Sequence, residues 1–303
     1  MRLDIVLPNE GDYGIEAMET GAYYEAMGWE GLWLSDHLLG IKEDHIHTDS
    51  WLDILIAMAH LAAKTRKIRI GSGVVVLPYR DPVLLARMVA TLDQLSGGRI
   101  DFGVGVGWLW RESQAVGVGR SFEVRGDWSN EMLDCILECW KGGTVSFKGK
   151  YFDVPEVHFE PVPVQPGGRV PLWIGTLATG GKPIERVAKY ADYWHPSEGD
   201  TKGNLITPER FRETGERLDE MADAGLARWL RTDQAEQAQA GGVGDRLERR
   251  GQLLGLICAK GAREQWRAVR SLPGCPCHPA QCGRRRVRRQ PRPDAGPAGL
   301  TTL

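Results

Sequence analysis

Six short runs rich in β-branched and other apolar residues, alternating with helix-like stretches, leave the first two-thirds of the chain few folds to adopt. The runs are Leu3 to Leu7, Leu32 to Ser35, Ile68 to Val76, Ile100 to Val106, Leu172 to Ile174 and Tyr193 to His195. Helical texture covers Ile15 to Met27, Trp51 to Ala63, Pro82 to Leu95, Trp128 to Trp140, Pro183 to Tyr190 and Pro208 to Ala224. Asp81 before Pro82 and Thr207 before Pro208 read as helix starts, with a capping side chain followed by proline at the first helical position. Strand and helix in alternation, with short joints, mean parallel strands joined by right-handed crossovers. The runs are continuous rather than alternating, as both buried faces of a parallel sheet require. An open doubly wound sheet and a (β/α)8 TIM-type barrel both meet these conditions. The barrel is preferred, because the chain lacks the Gly-x-Gly-x-x-Gly first turn of a dinucleotide fold. One insertion interrupts the rhythm. TVSFKGKYFDV, residues 144–154, reads as a β-hairpin, and the Pro-rich stretch 155–166 then runs extended.

Composition narrows the function classes. Among 303 residues, 42% are apolar and 26% charged, and the net charge is −2, so nucleic acid and anionic membranes are not expected partners. The first ten residues carry one basic residue and a very short apolar run, too little for a signal peptide or membrane span, so a cytoplasmic location is expected. Cys135 and Cys139, four apart in an apparent helix, read as buried thiols.

The stretch DQLSGGRIDFGVGVGW, residues 93–108, carries the strongest local signal. Gly98-Arg99 turns the chain after a helix. Gly103, Gly105 and Gly107 then fall on one face of a strand, which weakens it unless something presses on that face. Either protein fills a crowded barrel interior there, or a ligand approaches the backbone near Gly105 and Gly107 at the strand's C-terminal end. A second loop, GTLATGGKP at 175–183, follows a strand and opens a helix. Its free N–H groups and the helix dipole suit a phosphate, with Thr179, Gly180 and Gly181 as candidates and Lys182 as counter-charge. His45 and His47, near Asp44 and Asp49, read as a polar loop over the site rather than metal ligands. No metal site is expected.

ATLDQLSGGRIDFGVGVGW resembles the central signature of the bacterial-luciferase-like flavin and deazaflavin oxidoreductases. So do GLWLSDH at 31–37, IRIGSGVVVLPYRDPVLLA at 68–86, the hairpin, PLWIGT and ADYWHP, over roughly residues 1–225. The resemblance implies a (β/α)8 barrel holding coenzyme F420 (a deazaflavin) or FMN at the C-terminal strand ends. It also implies oxidoreductase or monooxygenase activity on a small organic substrate, and assembly as a homodimer; a non-catalytic flavin-binding fragment is the alternative. It places His37 against the reactive ring as acid/base or hydrogen-bond donor, a role imidazole suits near neutrality, with Asp36 orienting it or the strand end. It further implies a bulge with a non-proline cis peptide at Gly73-Val74, supporting the ring. Sugar-phosphate dehydrogenases of this kind carry a glutamate just after the Gly-x-Gly. Trp108 stands there instead and Glu112 is the nearest carboxylate, which argues against a sugar-phosphate substrate. Among the tryptophans Trp29, Trp33, Trp108, Trp110, Trp173 and Trp194, most are expected in the core.

After residue 225 the texture changes. Residues 226–303 lack β-branched runs of the earlier kind and end in Arg-, Pro- and Gly-rich text, a composition that buries no core. Cys275, Cys277, His278 and Cys282 imitate a zinc cluster within it. The barrel domain is therefore expected over 1–225, incomplete at its C-terminal end, with 226–303 an aberrant tail, either disordered or a frame-shifted reading of the remaining strands. Resequencing the coding DNA is expected to reveal two further strand–helix units in a shifted frame; their absence from every frame would refute the shift.

Overall fold

A computed structural model describes residues 4–38, 50–196 and 207–224. The tail, His45, His47 and their neighbouring aspartates lie outside the described residues. Nine strands and eight α-helices follow in chain order among the described residues. They are β1 (Asp4–Val6), α1 (Gly14–Met18), α2 (Gly21–Ala26), β2 (Gly31–Leu34), α3 (Ile54–Lys64), β3 (Arg69–Ser72), β4 (Val75–Val76), α4 (Pro82–Ser96), β5 (Ile100–Gly105), α5 (Trp110–Ala115), α6 (Arg125–Cys139), β6 (Gly143–Lys148), β7 (Asp153–Phe159), β8 (Leu172–Thr176), α7 (Gly181–Tyr190), β9 (Tyr193–Pro196) and α8 (Pro208–Asp223). One parallel sheet has the order β1-β2-β3-β5-β8-β9, with β4 also paired to β5. Each neighbour in space is the next sheet strand in sequence, the connectivity of a (β/α) barrel wall. The antiparallel hairpin β6–β7 stands apart from it.

β2, β4 and β5 are buried along their length, and the other strands of the parallel sheet are buried or half-buried. Met58, Leu61, Leu85, Val89, Met132 and Ile136 from α3, α4 and α6 belong to the core on which the sheet packs. The predicted helix starts hold. Asp81 accepts from the N–H groups of Val83 and Leu84, and Thr207 from that of Arg210. At the far end of α4, Gly97 takes the left-handed conformation with φ +69°.

Several expectations are corrected. The single helix over Ile15 to Met27 is two, α1 and α2. The break falls at Glu19-Thr20, and α2 begins at Gly21, where an added Cβ would stand 3.0 Å from Leu61 and 3.1 Å from Thr65. The run Ile68 to Val76 divides into β3 and β4 around Gly73-Val74, whose peptide is cis as the resemblance implied. The hairpin is longer than 144–154, because β7 continues through Pro155 to Phe159. Helix α5 carries no periodic apolar face, only six residues, and goes unseen by pattern.

The glycine run has a physical answer. An added Cβ on Gly103 would stand 1.8 Å from the Ser72 carbonyl oxygen, and one on Gly105 2.6 Å from a Val74 methyl. Protein, therefore, presses on that face. Gly107 lies past the end of β5, not on it, with φ +76° and Val76 2.8 Å from an added Cβ. Gly103→Ala is accordingly expected to lose at least about 3 kcal/mol by urea denaturation, since backbone rather than a flexible side chain must give way. Gly215→Ala, in α8 with nothing within 4 Å of an added Cβ, is expected to gain about 0.5–1 kcal/mol from helix propensity.

Candidate active site

Parallel strands bring their C-terminal ends to one mouth, where barrel enzymes carry their chemistry. Residues 35–38 leave β2 there. Asp36 is buried, and its carboxylate takes the Arg80 guanidinium in a two-point pair, with Nη2–Oδ1 at 2.9 Å, and the Val76 N–H at 2.8 Å. A buried, hydrogen-bonded pair of this geometry ties the exit of β2 to β4. Asp36 is thus committed to the strand end and to Arg80 and does not bond the imidazole of His37 in the structure.

His37 is held from elsewhere. Its Nδ1 lies 3.3 Å from Oε1 of Glu112, and its ring sits 4.7 Å from that of Trp51 and 6.3 Å, edge-on, from that of Trp108. Glu112, on α5, is 1% exposed; its Oε1 also accepts the Leu38 N–H at 2.9 Å, and its Oε2 the Tyr79 hydroxyl at 3.1 Å. Burial, then the Glu112 charge, raises the Tyr79 pKa above its ordinary value, so this phenol stays a donor. A partly exposed imidazole at a strand end, anchored by a buried carboxylate and walled by indoles, is suited to exchanging a proton with a bound molecule. Trp108 is 50% exposed, consistent with a role at the rim rather than in the core.

The Val74 side chain enters the barrel between β5 and β8, where added Cβ atoms on Gly105 and Gly175 would each stand 2.6 Å from it. Behind it, His195 of β9 stacks on Trp33, 5.5 Å between centroids and 17° between planes. The His195 Nε2 lies 3.4 Å from where a Gly73 Cβ would stand. Partial burial beside Trp33 and Gly73 disfavours the charged form of His195, and its pKa falls to about 4. Of the six tryptophans expected mostly in the core, Trp33 and Trp194 are buried, the former donating to Asp4 at 2.9 Å, whereas Trp29 and Trp173 are half-buried and Trp108 and Trp110 exposed.

The loop after β8 lies at the same mouth. Helix α7 starts at Gly181, and its N-cap, Gly180, supplies no side-chain cap. The Thr179 hydroxyl accepts from Arg210 at 3.0 Å, and Arg217 Nη1 lies 3.2 Å from where a Gly180 Cβ would stand. Two guanidiniums, seven residues apart on α8, thus lie beside the start of α7, which has no side-chain cap, an arrangement suited to an anion. Lys182 instead approaches Asp127, at 3.7 Å, on the surface. Pattern reading misses Tyr79, Arg80, His195, Arg210 and Arg217. The seven-residue spacing of Arg210 and Arg217 on an otherwise ordinary helix is the one sequence signal that could have found them.

A profile of the luciferase-like monooxygenase family matches residues 1–241. The chain belongs to the luciferase-like monooxygenase family. Among its relatives, the pyrimidine monooxygenase RutA of Bradyrhizobium sp. is 33% identical over 47% of this chain and 39% of its own. An F420-dependent glucose-6-phosphate dehydrogenase of Amycolatopsis mediterranei is 33% identical over 58% of this chain and 50% of its own. The chain thus spans half or less of the length of these relatives. The monooxygenase RslO1 from Streptomyces bottropensis shares the fold with TM-score 0.64, 21% identity and coverage of 89% of this chain and 82% of its own. An F420-dependent secondary alcohol dehydrogenase bound to an F420–acetone adduct does so at 0.59, with 23% identity, over 72% and 64%.

The depressed pKa of His195 has a stability consequence. Between pH 6.5 and about 4 the unfolded imidazole takes up a proton that the folded one refuses, so stability falls as pH drops through this window and levels off below it. Urea unfolding at pH 7, 5.5 and 4.5 is expected to show a smaller loss for His195→Gln than for the parent chain. Equal slopes would mean that His195 titrates normally when folded.

Proposed function

We propose that this protein is a cytoplasmic oxidoreductase or monooxygenase that uses F420 or FMN to transform a small organic substrate. In this reading the barrel domain occupies residues 1–225. One observation carries it: an anchored, partly exposed imidazole and an anion seat open onto the same mouth of a luciferase-like barrel. The donor set fits the group. Thr179, Gly180 and Gly181, with Arg210 and Arg217, are suited to an anionic tail, and the Gly73-Val74 bulge, packed by Val74 against Gly105 and followed by Gly107 at the strand end, is the backbone against which a ring would rest. The glucose-6-phosphate dehydrogenase relative and the secondary alcohol dehydrogenase that shares the fold are F420-dependent, and the oxygenating constituent of 3,6-diketocamphane monooxygenase from Pseudomonas putida, another protein of this fold, binds FMN. When bound, such a ring supplies the hydride or oxygen chemistry.

The protein's own residues do the rest. His37 gives or takes the proton that accompanies reaction at a substrate oxygen. Asp36, through Arg80 and the Val76 N–H, keeps the end of β2 in register with the Gly73-Val74 segment. Trp51 and Trp108 exclude water on either side of His37. Trp108, standing where a sugar-phosphate dehydrogenase carries its glutamate, favours an apolar substrate over a sugar phosphate.

A titration of the full chain with FMN and with F420, followed by absorbance and fluorescence, tests the reading. One of the two is expected to bind, and His37→Ala is expected to retain that binding. The same variant is expected to lose roughly 10²- to 10⁴-fold in cofactor turnover against a panel of small alcohols, ketones and oxygen. If neither cofactor perturbs the folded protein, the proposal fails.

A further inference from the structure

We infer that Glu112 is the positioning residue for His37, holding its Nδ1–H so that Nε2 is left as the proton-exchanging atom. The inference rests on His37 being the acid/base group proposed above, and it goes beyond that proposal by naming the group that sets the tautomer. Three observations combine. The Glu112 carboxylate is buried, yet two of its partners come from the mouth itself, His37 Nδ1 at 3.3 Å and the Leu38 N–H at 2.9 Å on the same oxygen. Its other oxygen is fixed by the Tyr79 hydroxyl at 3.1 Å, so it is not free to turn away. A phenol and a backbone amide are both donors here, so the carboxylate stands as acceptor to all three groups.

The chemistry follows from the imidazole. In a neutral ring one nitrogen carries the proton and the other a lone pair, and the acceptor at one nitrogen decides which. With Nδ1–H donated to Glu112, the lone pair lies on Nε2, at the far side of the ring. When Nε2 then takes up a proton, the cation that forms stands directly beside a carboxylate. Helix α5 exists to deliver this group. It is a single short helix between two glycine-containing turns, with Glu112 and Ser113 its buried residues. Trp108 and Trp110 on the same segment are exposed, 50% and 44%. The segment therefore places its acid inside and its indoles at the rim.

The experiment reads the tautomer directly in the full chain without cofactor. Two-bond nitrogen–proton correlations on ¹⁵N-histidine-labelled protein at pH 8.5, with His37 assigned by its loss in His37→Ala, report which nitrogen is protonated. The wild-type ring is expected to be the Nδ1–H form. Glu112→Leu, which keeps bulk and removes the acceptor, is expected to move it to the Nε2–H form favoured by free imidazole and to lower turnover roughly 10²-fold. Glu112→Gln, whose carbonyl can still accept, is expected to keep the Nδ1–H form and recover part of the rate. An Nε2–H wild type overturns the inference even if neither Glu112 variant folds. So does a Glu112→Leu ring that stays Nδ1–H, or a Glu112→Gln chain that falls as far as Glu112→Leu. Absence of cofactor binding sinks the proposed function alone, because the tautomer is read without it.

Discussion

Everything at the mouth depends on the close approach of residues 72–74 to β5. The ladder between β3 and β5 runs through Ile70 and Gly71 and resumes between β4 and β5 at Val75. In the gap the Ser72 hydroxyl takes over, accepting the Gly103 N–H at 2.9 Å and donating to the Gly103 carbonyl at 2.8 Å. A buried strand cannot leave these groups unpaired without a penalty of about 1–3 kcal/mol each. The side-chain bridge therefore stands in for the missing ladder bonds. It works only because position 103 has no Cβ.

The bulge has a second effect. It turns Val74 inward, so that its methyls occupy the space that side chains at 105 and 175 would otherwise fill. The glycines of β5 and β8 are thus matched to one valine, and strand ends three apart in sequence order are locked together by packing rather than by long side chains. Asp36 completes the lock from the other side, through Val76 and Arg80. The same displaced segment leads directly into Tyr79, which reaches Glu112 and through it His37. One backbone irregularity thus coordinates β2, β5, β8 and α5, four elements drawn from distant parts of the chain.

The architecture was legible because its causes are local and repeated. Continuous apolar runs, proline after a capping side chain and glycine turns each act within a few residues, and the sheet order follows from alternation alone. The glycine run could be seen but not resolved from sequence, since ligand and protein press on a bare strand alike. Only the positions of the Ser72 oxygen and the Val74 methyls separate the two at Gly103 and Gly105. The Asp36–Arg80 pair and the Glu112 anchor were out of reach for another reason. Their partners are 44 and 75 residues apart, and nothing in a single sequence couples charges at such separations. In the sequence Glu112 stands out only as a neighbour of Trp108, on a six-residue helix too short to show a period.

Asp36 and Glu112 show how two buried carboxylates at one mouth come to serve different ends. Asp36 meets a guanidinium, a permanent cation, in a two-point pair, so its charge is spent on holding two strands and cannot follow a reaction. Glu112 meets an imidazole, a phenol and an amide. Among those three partners, the imidazole can carry a proton on either ring nitrogen or on both. A carboxylate whose partner can gain a proton responds to events in the site, and one whose partner cannot is scaffolding. The adjacent residues Asp36 and His37 therefore divide the labour. The first fixes the strand end to the barrel, and the second turns its Nδ1 to a different acid, 75 residues away.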